Sequence, residues 1–261
     1  MIRLVFLLRR QPHLSLEEFH RYWLEEHGPL VASHQRALGV LRYTQSHRLG
    51  DAADERMAAA RGGMEPPYDG AAELWFASEA ALAEAGATPA GRAAGRALLE
   101  DEARFIDLPS SPLWLAHEYP QINPNPETVV ARPRSTVVKL HFPLRHVPSL
   151  TLEEAQLRWR VEHGPLIRSM APAMGMLRYQ QVHRFESPAA SPLAEALRAA
   201  RGTTVEPYTG HAEAWTDRSR LVPTPEARAA NRAAIEDEAR FIDFARSTMW
   251  LSKEHVLVDR W

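Results

Sequence analysis

Leu16-Glu17-Glu18-Phe19-His20-Arg21-Tyr22-Trp23-Leu24-Glu25-Glu26-His27-Gly28-Pro29-Leu30, followed by Leu41-Arg42-Tyr43-Thr44-Gln45-Ser46-His47, decides the fold because both stretches return 136 residues later. The second copy reads Leu152-Glu153-Glu154, then Trp159, Glu162-His163-Gly164-Pro165-Leu166, and Leu177-Arg178-Tyr179-Gln180-Gln181-Val182-His183. Between Leu16–Leu49 and Leu152–Phe185, 18 of 34 positions are identical without a gap. A repeat of that length in unbroken register means two homologous domains. The expected boundaries are residues 1–119 and 136–261, joined by a Pro-rich linker over 120–135 that favours an extended path.

Working outward, Ser15 with Glu18 forms a capping box that Thr151 with Glu154 repeats, so each copy opens a helix. Leu16, Phe19, Trp23 and His27 share one inward stripe of it, and Gly28-Pro29 is expected to end it. Upstream, Ile2, Leu4, Phe6 and Leu8 alternate as one face of a first strand, matched by Val138, Leu140, Phe142 and Leu144. Downstream, Leu41, Tyr43, Gln45 and His47 occupy one face of a second strand, and Leu177, Tyr179, Gln181 and His183 the same face of its counterpart. Residues 51–61 and 191–201 read as a short helix. A third strand, Ala71–Phe76 or His211–Thr216, puts Glu73 and Glu213 on the face of Trp75 and Trp215. Thr88-Pro89 and Thr224-Pro225 open a long helix that ends in Glu100–Asp107, identical to Glu236–Asp243. Leu113–Glu118 or Met249–Glu254 closes each half. This order predicts an α+β ferredoxin-like domain, a four-stranded antiparallel sheet with helices on one side. Two such sheets in one chain can pack as an intrachain dimeric barrel.

Composition narrows the function. Lys+Arg 31 against Asp+Glu 33 gives a net charge of −2, no electrostatic footprint for nucleic acid or an anionic membrane. The absence of cysteine removes disulfides, thiolate metal sites and thiol nucleophiles. Only Lys139 and Lys253 are lysines among the 31 basic residues, a bias typical of GC-rich bacterial coding sequences. The apolar run Ile2–Leu8 is followed by Arg9-Arg10 rather than by a small-residue cleavage site, and a soluble cytoplasmic protein is expected. There is no Gly-rich phosphate loop of the Walker or dinucleotide type. His13, His20, His27 and His34 recur every seven residues, but only His27 has a counterpart, and no metal site is expected from them.

Tyr22-Trp23, then His27-Gly28-Pro29-Leu30, and Arg42-Tyr43 with Gln45 and His47 on the following strand, resemble the EthD family. The second half keeps Trp159 and His163-Gly164-Pro165-Leu166 but has Arg158 in place of the Tyr. The resemblance covers most of the chain outside the linker and implies a tandem EthD protein with the dimeric α+β barrel fold. It implies activity only broadly. The family is associated with oxidative ether degradation, similar proteins act as cyclases, dehydratases or decarboxylases on polyketide-like aromatics, and neighbouring families include cofactor-free monooxygenases and haem enzymes. A fold that hosts so many chemistries makes the site the place to argue function.

The candidate catalytic residues are His27 and His163, with His47 and His183. An imidazole with pKa near ~6.5 can take and give a proton at neutral pH. A His in a last helical turn also serves the negative end of the helix dipole, so a structural reading stands beside the catalytic one. Trp23, Tyr43, Gln45 and Glu73, with Trp159, Tyr179, Gln181 and Glu213, are the candidate substrate-binding residues. The first reading is a small-molecule enzyme without an organic cofactor, acting by His acid/base chemistry on an apolar, aromatic or carbonyl-bearing substrate. Cyclisation, isomerisation, dehydration, decarboxylation and oxidation are all within reach of such groups. The second half is expected to be the weaker, because Ala155, Gln156 and Arg158 change its surroundings. The competing readings are a non-catalytic protein that binds a hydrophobic metabolite, and a haem-binding oxidoreductase, since haem needs only one axial His. Two chains could further associate as a homodimer.

Overall fold

Alternation along the first strand governs the architecture, because both of its faces are buried. A computed structural model of the chain describes residues 1–123 and 129–260. The strands are β1 (Ile2–Leu8), β2 (Arg42–Arg48), β3 (Gly70–Phe76), β4 (Leu113–Ile122), β5 (Val137–His146), β6 (Met176–Arg184), β7 (Gly210–Asp217), the two-residue β8 (Ile242–Asp243) and β9 (Trp250–Asp259). In each half the order is that of β4-β1-β3-β2, repeated as β9-β5-β7-β6. The halves join edge to edge where β2 pairs β9, with Gln45 opposite His255, and where β4 pairs β6, with His117 opposite His183. All these pairings are antiparallel and close an eight-stranded barrel.

Nine helices accompany them among the described residues: α1 (Leu16–Tyr22), α2 (Gly28–Leu38), α3 (Ala52–Ala59), α4 (Glu79–Ala87), α5 (Pro89–Phe105), α6 (Leu152–Arg158), α7 (Gly164–Met170), α8 (Ala190–Arg201) and α9 (Pro225–Glu238). None is long and apolar enough to cross a membrane. The outward faces of the strands pack under them. Ile2, Phe6 and Leu8 meet Phe19, Trp23, Leu98 and Phe105 in one half, and Phe142 and Leu144 meet Trp159, Ile167 and Phe241 in the other. The inward faces fill the barrel: Val5, Leu7, Trp114, Val182 and Trp250 cluster toward one end, and charged side chains occupy the middle.

Three features differ from what the repeat and its spacing imply. Both capping boxes are present, but Gly28-Pro29 does not end the helix. The backbone passes through one π turn, Trp23–His27, and continues as α2 to Leu38. The Gly28 N–H bonds back to the Trp23 carbonyl, five residues away, and Pro29 falls in the first turn of α2, where its missing donor costs nothing. Trp159–His163 repeats the device. Second, α4 has no counterpart among the described residues of the second half, where a single 3₁₀ turn, Arg218–Arg220, stands in its place. Third, Pro120 to Ile122 of the expected linker belong to β4, while 124–128 lie outside the described residues.

Candidate functional site

The π turn aims His27 at a long helix that the sequence reading left out of the site. The Nδ1 atom of His27 lies 2.8 Å from Oδ2 of Asp101 on α5, and His163 Nδ1 lies 2.9 Å from Oδ2 of Asp237 on α9. The His27 bond, seconded by the Tyr22 hydroxyl donating to the other Asp101 oxygen at 2.7 Å, holds the Asp101 carboxyl below its usual range. The His163 bond does the same for Asp237, where Arg158 replaces the tyrosine. An ionised carboxylate only accepts, so Nδ1 carries a proton, and it is the neutral form of the ring that offers a lone pair at Nε2. Asp101 and Asp237 carried a signal in the sequence: they lie in the eight-residue run that is identical in the two halves.

Both histidines are nearly buried, 5% and 4% exposed, and each lines an apolar cavity between helices and sheet. The first-half cavity holds about 120 Å³ and is bounded by Trp23, Tyr43, Leu74, Leu82 and Leu98. The second holds about 350 Å³, bounded by Trp159, Tyr179, Met174, Met176 and Ala234. Substitution explains the difference. Leu74, Phe76 and Leu98 become Ala214, Thr216 and Ala234, and Leu82 sits on α4, which the second half lacks. Only the larger volume falls in the ordinary range for small-molecule pockets, roughly 300–1,000 Å³.

Of the expected site residues, the structure brings Trp23, Tyr43 and His27 to one cavity and Trp159, Tyr179 and His163 to the other. The Tyr43 hydroxyl accepts from Trp23 Nε1 at 3.1 Å and from Gln45 Nε2 at 2.9 Å, leaving its own proton to give. Burial raises the pKa of Tyr43 and of Tyr179, so both remain neutral phenols. Gln45 and Gln181 are fully buried behind the tyrosines, each donating at 2.8 Å to the carbonyl of the tryptophan that opens the π turn. Gly28 permits this approach, since a Cβ there would stand 3.1 Å from Gln45 Nε2.

His47 and His183 are not among the described cavity-lining residues. Each stacks on the tryptophan, at 4.6 and 4.4 Å between ring centres, and meets the glutamine Oε1 through Nε2. Burial, with His20 and His255 nearby, holds His47 well below the ordinary imidazole value, and burial takes His183 down to about 3. Both are therefore neutral supports of the site at neutral pH.

Glu73 and Glu213 come to neither cavity. Their alternation with Trp75 and Trp215 points them into the barrel, where Arg3 pairs with both and Lys139 reaches Glu73 at 2.9 Å and Glu213 at 2.7 Å. His141 and His211 complete a cluster whose four ligand-type atoms lie within 4.8 Å of one another. Arg3 and Lys139 already neutralise these carboxylates, so the donor set suits an internal ion network better than a resident cation. Haem would need an imidazole nitrogen facing a chamber, and in the two apolar cavities His27 and His163 are the lining histidines.

Each cavity is closed by the other half. Leu197 and Arg201 of α8 line the first-half cavity, and Ala53, Met57 and Arg61, on and just beyond α3, line the second. Arg201 pairs with Glu102 at 2.8 Å, and Arg61 with Glu238 at 2.7 Å. The glutamates follow Asp101 and Asp237 directly, so one helical turn carries both the histidine's partner and the lid's anchor.

Comparison with known proteins gives a remote set of structural likenesses. A protein from Lactobacillus acidophilus NCFM, provisionally named a monooxygenase, superposes with a TM-score of 0.47 at 10% identity, covering 99% of this chain and 96% of its own. A similarly named protein of Fusobacterium nucleatum subsp. nucleatum gives 0.47 at 7% identity, covering 98% and 93%. A third, provisionally named a chlorite dismutase, gives 0.45 at 10% identity, covering 97% and 95%. No curated protein sequence matches the chain. The EthD domain model matches twice, over residues 11–109 and 147–245, and each match contains one HGPL motif and one Asp–His pair. The chain therefore belongs to the EthD family and carries two EthD domains in tandem.

Proposed function

We propose that the protein is a small-molecule enzyme that moves protons on an apolar, carbonyl-bearing substrate, aromatic or polyketide-like, and that the second half, expected from Ala155, Gln156 and Arg158 to be the weaker, is the working one because its cavity is the larger. The observation that carries this reading is the Asp237–His163 pair on the wall of an apolar space of about 350 Å³. His163 Nε2 takes the proton from the carbon beside the carbonyl, and the Tyr179 phenol donates to the oxygen as negative charge develops there. Return of the proton to another atom gives isomerisation, dehydration or ring closure. Loss of carbon dioxide from a carboxylate beside the carbonyl reaches the same carbanion in place of the proton abstraction and ends when that carbon is protonated, and reaction of the carbanion with O₂, which is the oxidant, gives an oxidised product. Side chains supply every proton transfer, so no organic cofactor is needed. We also read each half, by its strand order, as a ferredoxin-like unit, and place the protein in the cytoplasm.

A second reading, a binding protein for a hydrophobic metabolite, is favoured by the buried ion pairs that close each cavity. One experiment separates the two. The protein is purified gently from its host, any retained small molecule is identified by mass spectrometry, and that molecule is incubated with enzyme in D₂O. Deuterium uptake beside a carbonyl, lost in His163→Gln, supports the enzyme. Tight retention without exchange overturns it, and a Soret band in the purified protein overturns the cofactor-free chemistry.

A further inference from the structure

The two halves differ in a second place, away from both cavities. In the first half, Asp69 sits where β3 begins and neutralises its surroundings. Its carboxylate accepts from the Arg10 backbone N–H at 2.9 Å, pairs with the Arg10 guanidinium, and lies 3.2 Å from that of Arg48. Nearby, Arg9 lies over Tyr68 at 4.2 Å and donates to the carbonyls of Pro66 and Pro67.

The second half rebuilds the same frame without the carboxylate. Arg145 lies over Tyr208 at 4.2 Å and donates to the carbonyls of Glu206 and Pro207. The backbone N–H of His146 donates to position 209 as that of Arg10 does to 69, but the acceptor is now the Thr209 hydroxyl, at 3.1 Å. Arg184, the counterpart of Arg48, thereby loses its buried anion. Arg198 and Arg246 add two guanidiniums that the first half lacks, where Ala58 and Ser110 stand.

The result is a cavity of about 470 Å³ walled by four arginines, His146 and Thr209, with Glu206 as the one carboxylate on its wall among the described residues. Glu206, which lies 3.4 Å from Arg246 and 3.9 Å from Arg145, is 75% exposed, and Glu186, which pairs with Arg184, is 58% exposed, so solvent screens these pairs. The Nε atoms of Arg184 and Arg198 are buried without a hydrogen-bond partner among the described residues. Burial, with Arg198 and Arg145 close by, holds the Arg184 guanidinium below its ordinary value. A cluster of guanidiniums brought this close is costly unless an anion joins it, and planar forks of N–H donors match the oxygens of a phosphoryl group.

We infer that the second half carries an anion-binding pocket, formed by Arg145, Arg184, Arg198 and Arg246, that takes a phosphate or the phosphoryl group of a phosphate ester. Thr209 in place of Asp69 is the change that opened it. The charge excess of the four guanidiniums favours a dianion over a single carboxylate.

Calorimetric titration of the full chain with inorganic phosphate and with phenyl phosphate, at constant ionic strength in chloride, tests this. One site is expected, with binding weakened at least tenfold in Thr209→Asp, which restores the first half's internal anion, and in Arg198→Gln, which serves if the first variant fails to fold. Phenyl phosphate tighter than inorganic phosphate and competed by it identifies an ester as the ligand, and equal affinity identifies free phosphate. Absence of saturable binding to the wild type, or binding unchanged in a folded variant, overturns the proposal.

Discussion

The guanidinium of Arg61 stands 2.7 Å from the carboxylate of Glu238, so the first half of the chain latches the cavity of the second. Both side chains are about nine-tenths buried, and removing one partner leaves the other as an uncompensated charge in a poor solvent. Arg61→Ala is expected to cost about 3–5 kcal/mol near neutral pH. Burial already raises the pKa of Glu238, and Arg61 opposes that rise. In the variant the folded state therefore holds the proton more tightly, and the stability deficit grows as pH rises through and above the ordinary carboxyl range. Thermal melts of wild type and variant at pH 4.5 and pH 7.5 should show the smaller gap at the lower pH. An equal gap would mean that Glu238 titrates normally.

The Asp–His pairs make a prediction about tautomers rather than charge alone. Asp237→Asn keeps the size of the side chain but can present an N–H to His163 Nδ1, which moves the imidazole proton to Nε2 and removes the acceptor from the cavity. Turnover is expected to fall by roughly 10²–10⁴-fold, the span attributed to a positioned general base, while the melting profile stays near wild type. Asp101→Asn should leave most turnover intact, because its cavity is below pocket size. Comparable losses from both would mean that the two halves share the work.

Four buried histidines fix the acid limit of the fold. Burial holds His47 and His141 well below the ordinary imidazole value, His183 at about 3 and His211 at about 4. Each stays neutral in the fold but gains a proton in the unfolded chain once pH drops below about 6.5. The unfolded state then binds more protons, so stability is lost as pH falls from there toward the folded values. His141 offers the cleanest test, since neither of its ring nitrogens has a partner among the described residues. His141→Leu should melt at least as high as wild type at pH 7.5 and clearly higher at pH 5. A variant that loses its advantage on acidification would contradict this.

How much of this was legible in the sequence depended on what the repeat preserved. The capping boxes, the strand faces and the shared stripe of Trp23 and His27 follow from spacing within a single element. The continuation through Gly28-Pro29 did not follow, because a π turn leaves the same residues in the same order as a helix stop and differs only in which carbonyl Gly28 meets. Asp101 lay in plain view in the duplicated Glu100–Asp107, but nothing local says that α5 turns that carboxylate toward His27 across 74 residues. Glu73 was placed correctly with Trp75 on one strand face. Which side that face looks to is decided by barrel closure, and closure put it with Arg3 and Lys139 instead of in a pocket.

The unequal cavities give the last test. Ala234 and Leu98 occupy equivalent places on α9 and α5, and the smaller side chain is on the side with the larger space. Ala234→Leu adds three carbons against an apolar wall, which should raise or preserve the melting temperature, since each buried methylene is worth about 0.8 kcal/mol. It should also exclude substrate and abolish most turnover. Leu98→Ala enlarges the first cavity at a cost of about 2–5 kcal/mol, as large-to-small core changes do. If the chemistry needs only an Asp–His pair, a tyrosine and room, the double variant should regain measurable turnover that a further His27→Gln then removes. Substrate exchange assays on the single, double and triple variants check each step, and full activity in Ala234→Leu alone would place the reaction outside the second cavity.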